Sequence, residues 1–354
     1  MARSEFATDR PPVVEKRREG MWDRREFIKG AAGLAGSAAL LGYDMRLASA
    51  EPPPELTKIR ITRVPVVCLA PLYVAEELLR LEGFSTVEYV DLPNTQDMEL
   101  VGSGRADFAS AGIETFIPAV DMGQPVVALS GFHSGCLEFF AKPGINGMRD
   151  LKGKTVPISA IGTPEHVFIS ALIAYVGLDP ERDINWVDTG KTAESMRLFV
   201  EGRADAFLAG PPRAQELHER KIGKVILNIG HDQPWSQYFC CLLVTNRDFL
   251  RQNPVATKRA TRAFLKAAEI CAQDPERVAR FLVENKYTAR YDVALEILRD
   301  LPYRRWREAN PEDSVRFFSL RFRDAKIIKS VPQKIIADGT DWRFLNELKK
   351  ELKT

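Results

Sequence analysis

One stretch decides the fold because a similar copy of it follows later in the chain. The first copy is Gly104-Arg105-Ala106-Asp107-Phe108-Ala109-Ser110-Ala111-Gly112, and the second is Gly202-Arg203-Ala204-Asp205-Ala206-Phe207-Leu208-Ala209-Gly210. The copies start at residues 104 and 202, a separation that is too long for a solenoid repeat and suits two similar lobes. Each copy follows a helical segment, turns at Gly-Arg-Ala-Asp, continues as a short apolar strand and ends at a glycine before another helix. The alternative is coincidence, since Gly-Xaa-Ala-Asp is a common tight turn.

A helix, turn, strand, helix unit is half of a doubly wound α/β layer, in which ligands bind beyond the carboxyl ends of the strands. With one copy in each lobe, we expect Gly112 and Gly210 to lie on facing edges of a cleft. The arginine and aspartate of each turn lie at the other end of the strand, so we expect them to hold the turn and the glycines to mark the ligand.

The rest of the chain fits two α/β lobes. Strands and helices alternate up to Val126–Leu129, which predicts a mainly parallel sheet. The breaker-rich segment Lys142–Gly147 is where the chain should leave the first lobe. Tyr238–Val244 should run back as the second of two crossing strands, and the helical sequence beyond Pro254 should cover the first lobe. The predicted division is residues 51–141 and 245–354 for lobe 1 and residues 142–244 for lobe 2.

The N-terminus predicts export. Arg24 and Arg25 precede a weakly apolar run, and Ala48-Ser49-Ala50 offers small residues for cleavage after Ala50. This order resembles a twin-arginine signal over residues 1–50, read by the twin-arginine translocase. The alternative is a cytosolic protein with a basic, disordered N-terminus. The run is too short to span a bilayer and no cysteine follows it closely, so we expect a soluble periplasmic protein without a lipid anchor.

The charge balance excludes some partners. Residues 51–354 contain 41 basic and 41 acidic side chains, without a long basic run. Such a neutral body gives no support to nucleic-acid or anionic-membrane binding. We expect a monomer of two ordinary-sized lobes.

Cysteine and histidine are sparse. Five cysteines (Cys68, Cys136, Cys240, Cys241 and Cys271) form no regular pattern, so at most two pairs could form. Cys240-Cys241 lies in an apolar run that predicts a buried strand, where packing is favoured over redox or metal chemistry. The four histidines have no Cys or His partner at the spacing of zinc sites, so neither a metal nor a cofactor is expected.

Several segments together resemble periplasmic substrate-binding proteins of ABC importers, in the nitrate, sulfonate and taurine family that also contains thiamine-precursor binders. The segments are Ala70–Ala75, Gly104–Asp107, Gln124–Ala128, Asp150–Val156 and Gly202–Asp205. The resemblance implies a periplasmic binding protein type II fold whose two lobes close on a small ligand by a hinge motion. It further implies a non-enzymatic role: capturing a small polar organic ligand and delivering it to an ABC permease and its ATPase.

Candidate ligand-binding residues follow from the physics of such a cleft, which offers hydrogen-bonding groups at strand ends and helix N-termini. They are Asn94, Gly112 and His133 on the first lobe, Thr163, His166 and Gly210 on the second, and Trp235 and Tyr238 as aromatic walls. Each has a plainer role as alternative. Thr163 could only cap a helix, the histidines could be ordinary polar residues, and Trp235 could be core or hinge packing.

An enzyme is the main alternative function, because the same fold family includes a thiamine pyrimidine synthase. That enzyme has a dense Cys-rich iron motif, which only Phe239-Cys240-Cys241 resembles here. A hydrolase is less favoured, because His133, Ser134 and Cys136 are neighbours in sequence without a nucleophile-elbow motif.

Overall fold

The two Gly-Arg-Ala-Asp turns begin corresponding strands of two sheets in the computed structural model, which describes residues 51–64, 66–92 and 97–353. Arg24, Arg25, Ala50 and Asn94 therefore lie outside the described residues. Pro52–Thr354 form one compact unit. None of the helices in the described ranges is long and apolar enough to cross a membrane.

Strands and helices alternate in the first part of the chain, as predicted. Strands β1 to β4 are Lys58–Arg63, Thr86–Asp91, Phe108–Gly112 and Val126–Ser134. Helices α1 to α3 are Ala70–Leu81, Asp97–Gly102 and Ile113–Asp121. All nine positions of β4 are buried, which explains why its sequence lacks the polar alternation of a half-exposed strand.

The middle of the chain repeats this alternation. Strands β5 to β9 are Glu138–Ala141, Lys154–Ile158, Ile184–Asp188, Ala206–Ala209 and Lys224–Asn228. Helices α4 to α6 are Pro164–Tyr175, Thr192–Val200 and Arg213–Glu219. Strand β10, Phe239–Asn246, follows a short 3₁₀ turn at Trp235–Gln237.

Helices make up the C-terminal part. Helices α7 to α13 are Arg247–Gln252, Pro254–Gln273, Pro275–Glu284, Tyr291–Asp300, Pro311–Asp324, Pro332–Gly339 and Arg343–Glu351. Helix α8 packs on α1 and α13 packs on α8, which agrees with the expectation that these helices cover the first sheet. Helix α11, however, also packs on α4, which lies beside the second set of strands. The C-terminal helices therefore cover both sets of strands.

The two sets of strands have the same order. Among the described residues the first sheet has the order β2-β1-β3-β10-β4, and β10 runs antiparallel to both neighbours. The second set has the order β8-β5-β9, with β5 antiparallel to both neighbours, and a separate parallel pair β6-β7. Asp205 N donates to Thr155 O at 2.9 Å, which places β6 beside β8. The strands β7, β6, β8, β5 and β9 therefore repeat the arrangement of β2, β1, β3, β10 and β4.

The chain crosses between the sheets twice, after β4 and before β10. The division at residues 141 and 244 stays a prediction, but two strands differ from it in their pairing. Glu138–Ala141, assigned to lobe 1 from the sequence, pairs with β8 and β9 of the second set. Residues 239–244, assigned to lobe 2, pair within the first sheet. The sequence boundary was placed at the glycine- and proline-rich turn, whereas the crossing itself is the short segment between β4 and β5.

Candidate functional site

Two predicted positions, Gly112 and His133, meet across Cys241 at one edge of the first sheet. Gly112 is the last residue of β3, and it pairs with Cys241 of β10. On its other side Cys241 pairs with His133, next to the end of β4. Because β3 and β4 both end here, this edge is the place where a doubly wound sheet binds its ligand.

A β-bulge brings two neighbouring cysteines to the same side of β10. In a regular strand Cys240 and Cys241 would point to opposite faces. Phe239 pairs with Ser134 and Cys241 with His133, so the register skips Cys240. The bulge redirects the side chains, and the two sulfur atoms lie 3.7 Å apart.

Two further cysteines join this pair from other segments. Cys136 lies in the crossing between β4 and β5, and its thiol interacts with those of Cys240 and Cys241. Cys68 lies in the 3₁₀ turn Val67–Leu69 that follows β1, and its thiol interacts with that of Cys136. We call Cys68, His133, Cys136, Cys240 and Cys241 the thiol–imidazole cluster.

His133 is fully buried within this cluster. Its Nδ1 atom lies 3.0 Å from the carbonyl oxygen of Ser134 and 3.7 Å from the sulfur of Cys240. Its Nε2 atom is buried without a hydrogen-bond partner. A carbonyl oxygen only accepts, so the favoured tautomer donates from Nδ1 and leaves the Nε2 lone pair unused.

The thiols differ in acidity because each hydrogen bond favours one thiolate at the expense of its partner. The bond from Cys136, supported by His133, lowers the pKa of Cys68 against the opposing effect of burial. The bond with Cys136 and burial together raise the pKa of Cys240. Cys68 is therefore the most acidic of these thiols.

Two carboxyl groups lie close to the cluster. Burial raises the pKa of Glu114 to about 7, and the charges of Asp97 and Cys68 act in the same direction. Burial also raises the pKa of Asp97 to about 6. Glu114 packs against Gly112 so closely that a Cβ atom there would lie 2.1 Å from its Oε1 atom. A glycine at residue 112 thus makes room for the Glu114 carboxyl group.

The predicted residues of the second lobe lie at the carboxyl ends of β6 and β8. Thr163 precedes α4, but its hydroxyl donates to Ala160 O at 2.7 Å and does not cap the helix. Nearby, Glu165 Oε2 accepts from Ser159 N at 3.1 Å, while its Oε1 atom is buried without a partner. Gly210 follows β8, and a Cβ atom at this position would lie 3.1 Å from the side chain of Leu137 in the crossing segment.

Both ring nitrogens of His166 have local partners. Gly162 N donates to its Nδ1 at 3.2 Å, and Ser170 Oγ lies 3.4 Å from its Nε2. The ring packs edge-on against Trp186, with centroids 4.9 Å apart, and burial lowers the pKa of His166. The imidazole is therefore held neutral in the first turns of α4.

Trp235 and Tyr238 pack against helix α11. Tyr238 stacks on Phe317 with ring centroids 4.0 Å apart. Trp235, which is 3% exposed, contacts Tyr175, Phe317 and Phe318. These contacts correspond to the packing role that the sequence left open for Trp235.

Sequence reasoning did not group the cysteines with His133, because their positions follow no metal-site spacing. A ring nitrogen of His133 and the sulfurs of Cys136 and Cys240 lie within 4.8 Å of one another. In the structure Cys68 follows β1, Cys136 follows β4 and Cys240 lies near the start of β10, a grouping that no local sequence pattern indicates. The expectation that no metal is bound stays a prediction.

This geometry belongs to the two-lobed periplasmic binding protein fold, as known structures show. The nitrate-binding protein NrtA from Synechocystis has a TM-score of 0.68 at 16% identity, over 85% of this chain and 90% of that chain. The alkanesulfonate-binding protein SsuA from Xanthomonas axonopodis, bound to MOPS, has a TM-score of 0.63 at 16% identity, over 81% of this chain and 99% of that chain.

The family model described as NMT1/THI5 like matches residues 69–278, and the chain belongs to that family. A nitrate/nitrite binding protein NrtA from Nostoc is 22% identical over 67% of this chain and 59% of its own length. A 4-amino-5-hydroxymethyl-2-methylpyrimidine phosphate synthase, THI12 of Saccharomyces cerevisiae, is 23% identical over 63% of this chain and 70% of its own length. The chain therefore matches less than two thirds of the length of the Nostoc relative. Its relatives include both a binding protein and an enzyme.

Proposed function

We propose that this chain is the exported solute-binding component of an ABC importer, which captures a small ligand between its two sets of strands. One observation supports this most directly: the same strand order occurs twice, and polar groups lie at the carboxyl ends of both sets. Two crossings join the sets. Such a construction suits closure around a ligand by small rotations in the crossing segments.

The groups at the site favour a ligand other than a bare inorganic anion. On the first sheet the edge presents thiols, an imidazole and the carboxyl group of Glu114. On the second, Glu165 lies near Ser159 and within electrostatic range of Arg213. A polar organic molecule or a cation would meet better partners at the first sheet than nitrate would.

The proposed location is the periplasm, reached through the twin-arginine translocase with cleavage after Ala50. Transport by this route delivers proteins that have already folded. The proposed partners are a membrane permease and its ATPase, and the protein itself would be a monomer without a lipid anchor.

Thermal unfolding with a panel of ligands tests this function. The panel should contain nitrate, taurine, an alkanesulfonate and a hydroxymethylpyrimidine, each added to the purified protein. A bound ligand stabilises the folded state by mass action, about 2.7 kcal/mol at a hundredfold excess over Kd, and is recovered unchanged. Thr163→Ala and His166→Ala should each weaken binding, and unchanged affinity in both would remove these residues from the site.

The yeast relatives and the thiol–imidazole cluster together favour a second candidate, an enzyme resembling the pyrimidine phosphate synthase. Against it, the dense Cys-rich motif of that enzyme is reduced to Cys240-Cys241 here. Recovery of a chemically altered ligand after incubation would support the enzyme and contradict the transport function.

A further inference from the structure

The thiol–imidazole cluster gathers its side chains from separate parts of the chain. Cys68 follows β1, His133 lies next to the end of β4, Cys136 lies in the first crossing, and Cys240 and Cys241 lie near the start of β10. A cysteine kept only as a small apolar residue needs no sulfur neighbours. Here each thiol has another thiol or the imidazole as its partner.

The distances suit metal coordination. A tetrahedral ion with bonds of about 2.3 Å to sulfur and about 2.0 Å to nitrogen holds neighbouring donor atoms roughly 3.5–3.8 Å apart. The sulfurs of Cys240 and Cys241 are 3.7 Å apart, which matches this spacing. Since the donors of His133, Cys136 and Cys240 already lie within 4.8 Å of one another, shifts of about 1 Å would close the site.

The hydrogen bonding of His133 also fits a ligand role. A metal-bound imidazole usually donates its other N–H to a carboxylate or a backbone carbonyl, which fixes the ring. The carbonyl of Ser134, 3.0 Å from Nδ1, is such a partner, and Nε2 is buried without one. An unused donor or acceptor in the protein interior is costly unless something occupies it.

An ion could reach the cluster. Cys240 and His133 are buried, but Cys136 and Cys241 are partly exposed. Cys136 also lines a cavity with Glu138, Asn228 and Asp300, between the second set of strands and helix α10.

We propose that Cys136, Cys240 and His133, completed by Cys68 or Cys241, bind one thiophilic metal ion, Cu(I) or Zn(II). Thiolate and imidazole ligands select these ions over Mg²⁺, Ca²⁺ or Mn²⁺, which prefer oxygen. The inference goes beyond the proposed function, because the site would hold the ion whether or not the protein delivers a solute to a transporter. It also differs from an iron motif of consecutive cysteines, because its donors come from three separate segments.

Metal titration of the reduced full-length protein under nitrogen tests the proposal. Cu(I) is added in competition with bicinchoninate and Zn(II) in competition with a pyridylazo dye, and Fe(II) serves as the comparison. Co(II) substitution gives an independent spectroscopic readout, since thiolate ligands produce an intense charge-transfer absorption. We expect one equivalent of Cu(I) or Zn(II), tighter binding of that ion than of Fe(II), and the thiolate absorption with Co(II).

Matched thiol variants distinguish the loss of a metal ligand from the general effect of removing a thiol. Cys136→Ser changes a partly exposed residue, and Cys240→Ser changes a buried one, so at least one should fold as judged by circular dichroism. Each should lower the affinity by about tenfold or more and weaken the Co(II) absorption. Cys271→Ser removes a buried thiol of helix α8 outside the cluster and should bind like the wild type.

Three results would overturn the proposal. The first is full-affinity binding in both Cys136→Ser and Cys240→Ser. The second is a preference for Fe(II) over Cu(I) and Zn(II). The third is a disulfide between two cluster cysteines in protein purified without oxygen, detected as fewer than five titratable thiols after unfolding.

Discussion

Asp107 fastens β3 to β1 through Arg60, because its carboxylate accepts from the Arg60 backbone N–H at 2.7 Å and from the guanidinium at 2.6 Å. In the second set of strands Asp205 makes the equivalent bond, accepting from Thr155 N of β6 at 2.8 Å. The repeated aspartate therefore does more than hold a turn. It joins the neighbouring strands at their amino ends, opposite to the candidate site.

Asp107→Ala should lower the free energy of unfolding by about 3 kcal/mol, because it leaves the Arg60 backbone N–H and a partly buried guanidinium without their partner. Asp205→Ala should cost less, about 1–2 kcal/mol, since the Asp205 side chain is more exposed and its cation is Lys142. Urea unfolding measures both. Arg105→Ala removes only exposed contacts with Glu99 and Ser103 and should change stability by less than about 0.5 kcal/mol. Equal losses of stability in all three variants would contradict the role of Asp107 and Asp205 in joining neighbouring strands.

Gly131→Ala should destabilise the pairing of β4 with β10. A Cβ atom at residue 131 would lie 2.2 Å from the ring of Phe239, which is fully buried and cannot swing away. Overpacking of this kind costs about 1–3 kcal/mol. Thermal and urea unfolding measure the loss, and Gly147→Ala, where nothing lies within 4 Å of the added atom, is the matched control. A stability equal to that of the control would show that Phe239 does not pack on Gly131.

Trp235→Ala should cost about 3–5 kcal/mol of stability, because the buried indole fills the space between Tyr175 and helix α11. Tyr238→Ala should cost less, since Tyr238 is only half-buried. If Trp235 were instead a wall of the ligand site, Trp235→Phe would weaken ligand binding and leave stability nearly unchanged. Unfolding and ligand titration of Trp235→Ala and Trp235→Phe distinguish a packing role of Trp235 from a ligand-binding role.

The buried carboxyl group of Asp97 should make stability fall as the pH rises from about 4 to about 6. Burial raises the pKa of Asp97 to about 6 in the folded protein, so the folded state keeps a proton that the unfolded state has lost. Full ionisation should therefore cost at most about 3 kcal/mol. Glu114, which faces Asp97 from α3, has its pKa raised to about 7 and extends the fall to higher pH.

Asp97→Asn isolates this contribution. Urea unfolding at pH 4.5 and pH 6.5 measures the free energy of unfolding of Asp97→Asn and of the wild type. The variant should gain stability relative to the wild type at the higher pH. Asp91→Asn is the control, because Asp91 is exposed and paired with Arg63, which lowers its pKa. A difference that is independent of pH would show that the Asp97 carboxyl group is not buried.

Most of the first sheet could be predicted from the sequence, because its strands and helices alternate with clear turn residues between them. The alternation predicted up to Val126–Leu129 agrees with strands β1 to β4 and helices α1 to α3. Strand β5 was missed, since its four residues follow β4 after a very short crossing and contain no turn signal of their own. Helices α11 and α12 lie in the segment predicted as helical beyond Pro254, but their bounds were not predicted.

The candidate site was only partly predictable. Gly112 and His133 were found because they follow predicted strands, and this position alone defines the edge of a sheet. Cys240 and Cys241 were assigned to packing because their apolar run predicts a buried strand, in which cysteine behaves as a small hydrophobic residue. The bulge depends on how β10 pairs with β4, a long-range property that local sequence does not encode.

That bulge separates the chemistry of the site from the architecture around it. Deletion of Cys240, the residue that the pairing with β4 skips, would remove one sulfur from the cluster, while Leu242–Thr245 could keep their pairing with β3. A single insertion or deletion is thus enough to assemble or dismantle a group of thiols on an otherwise unchanged scaffold. Members of one family could in this way gain or lose a soft ligand set without redesigning their fold.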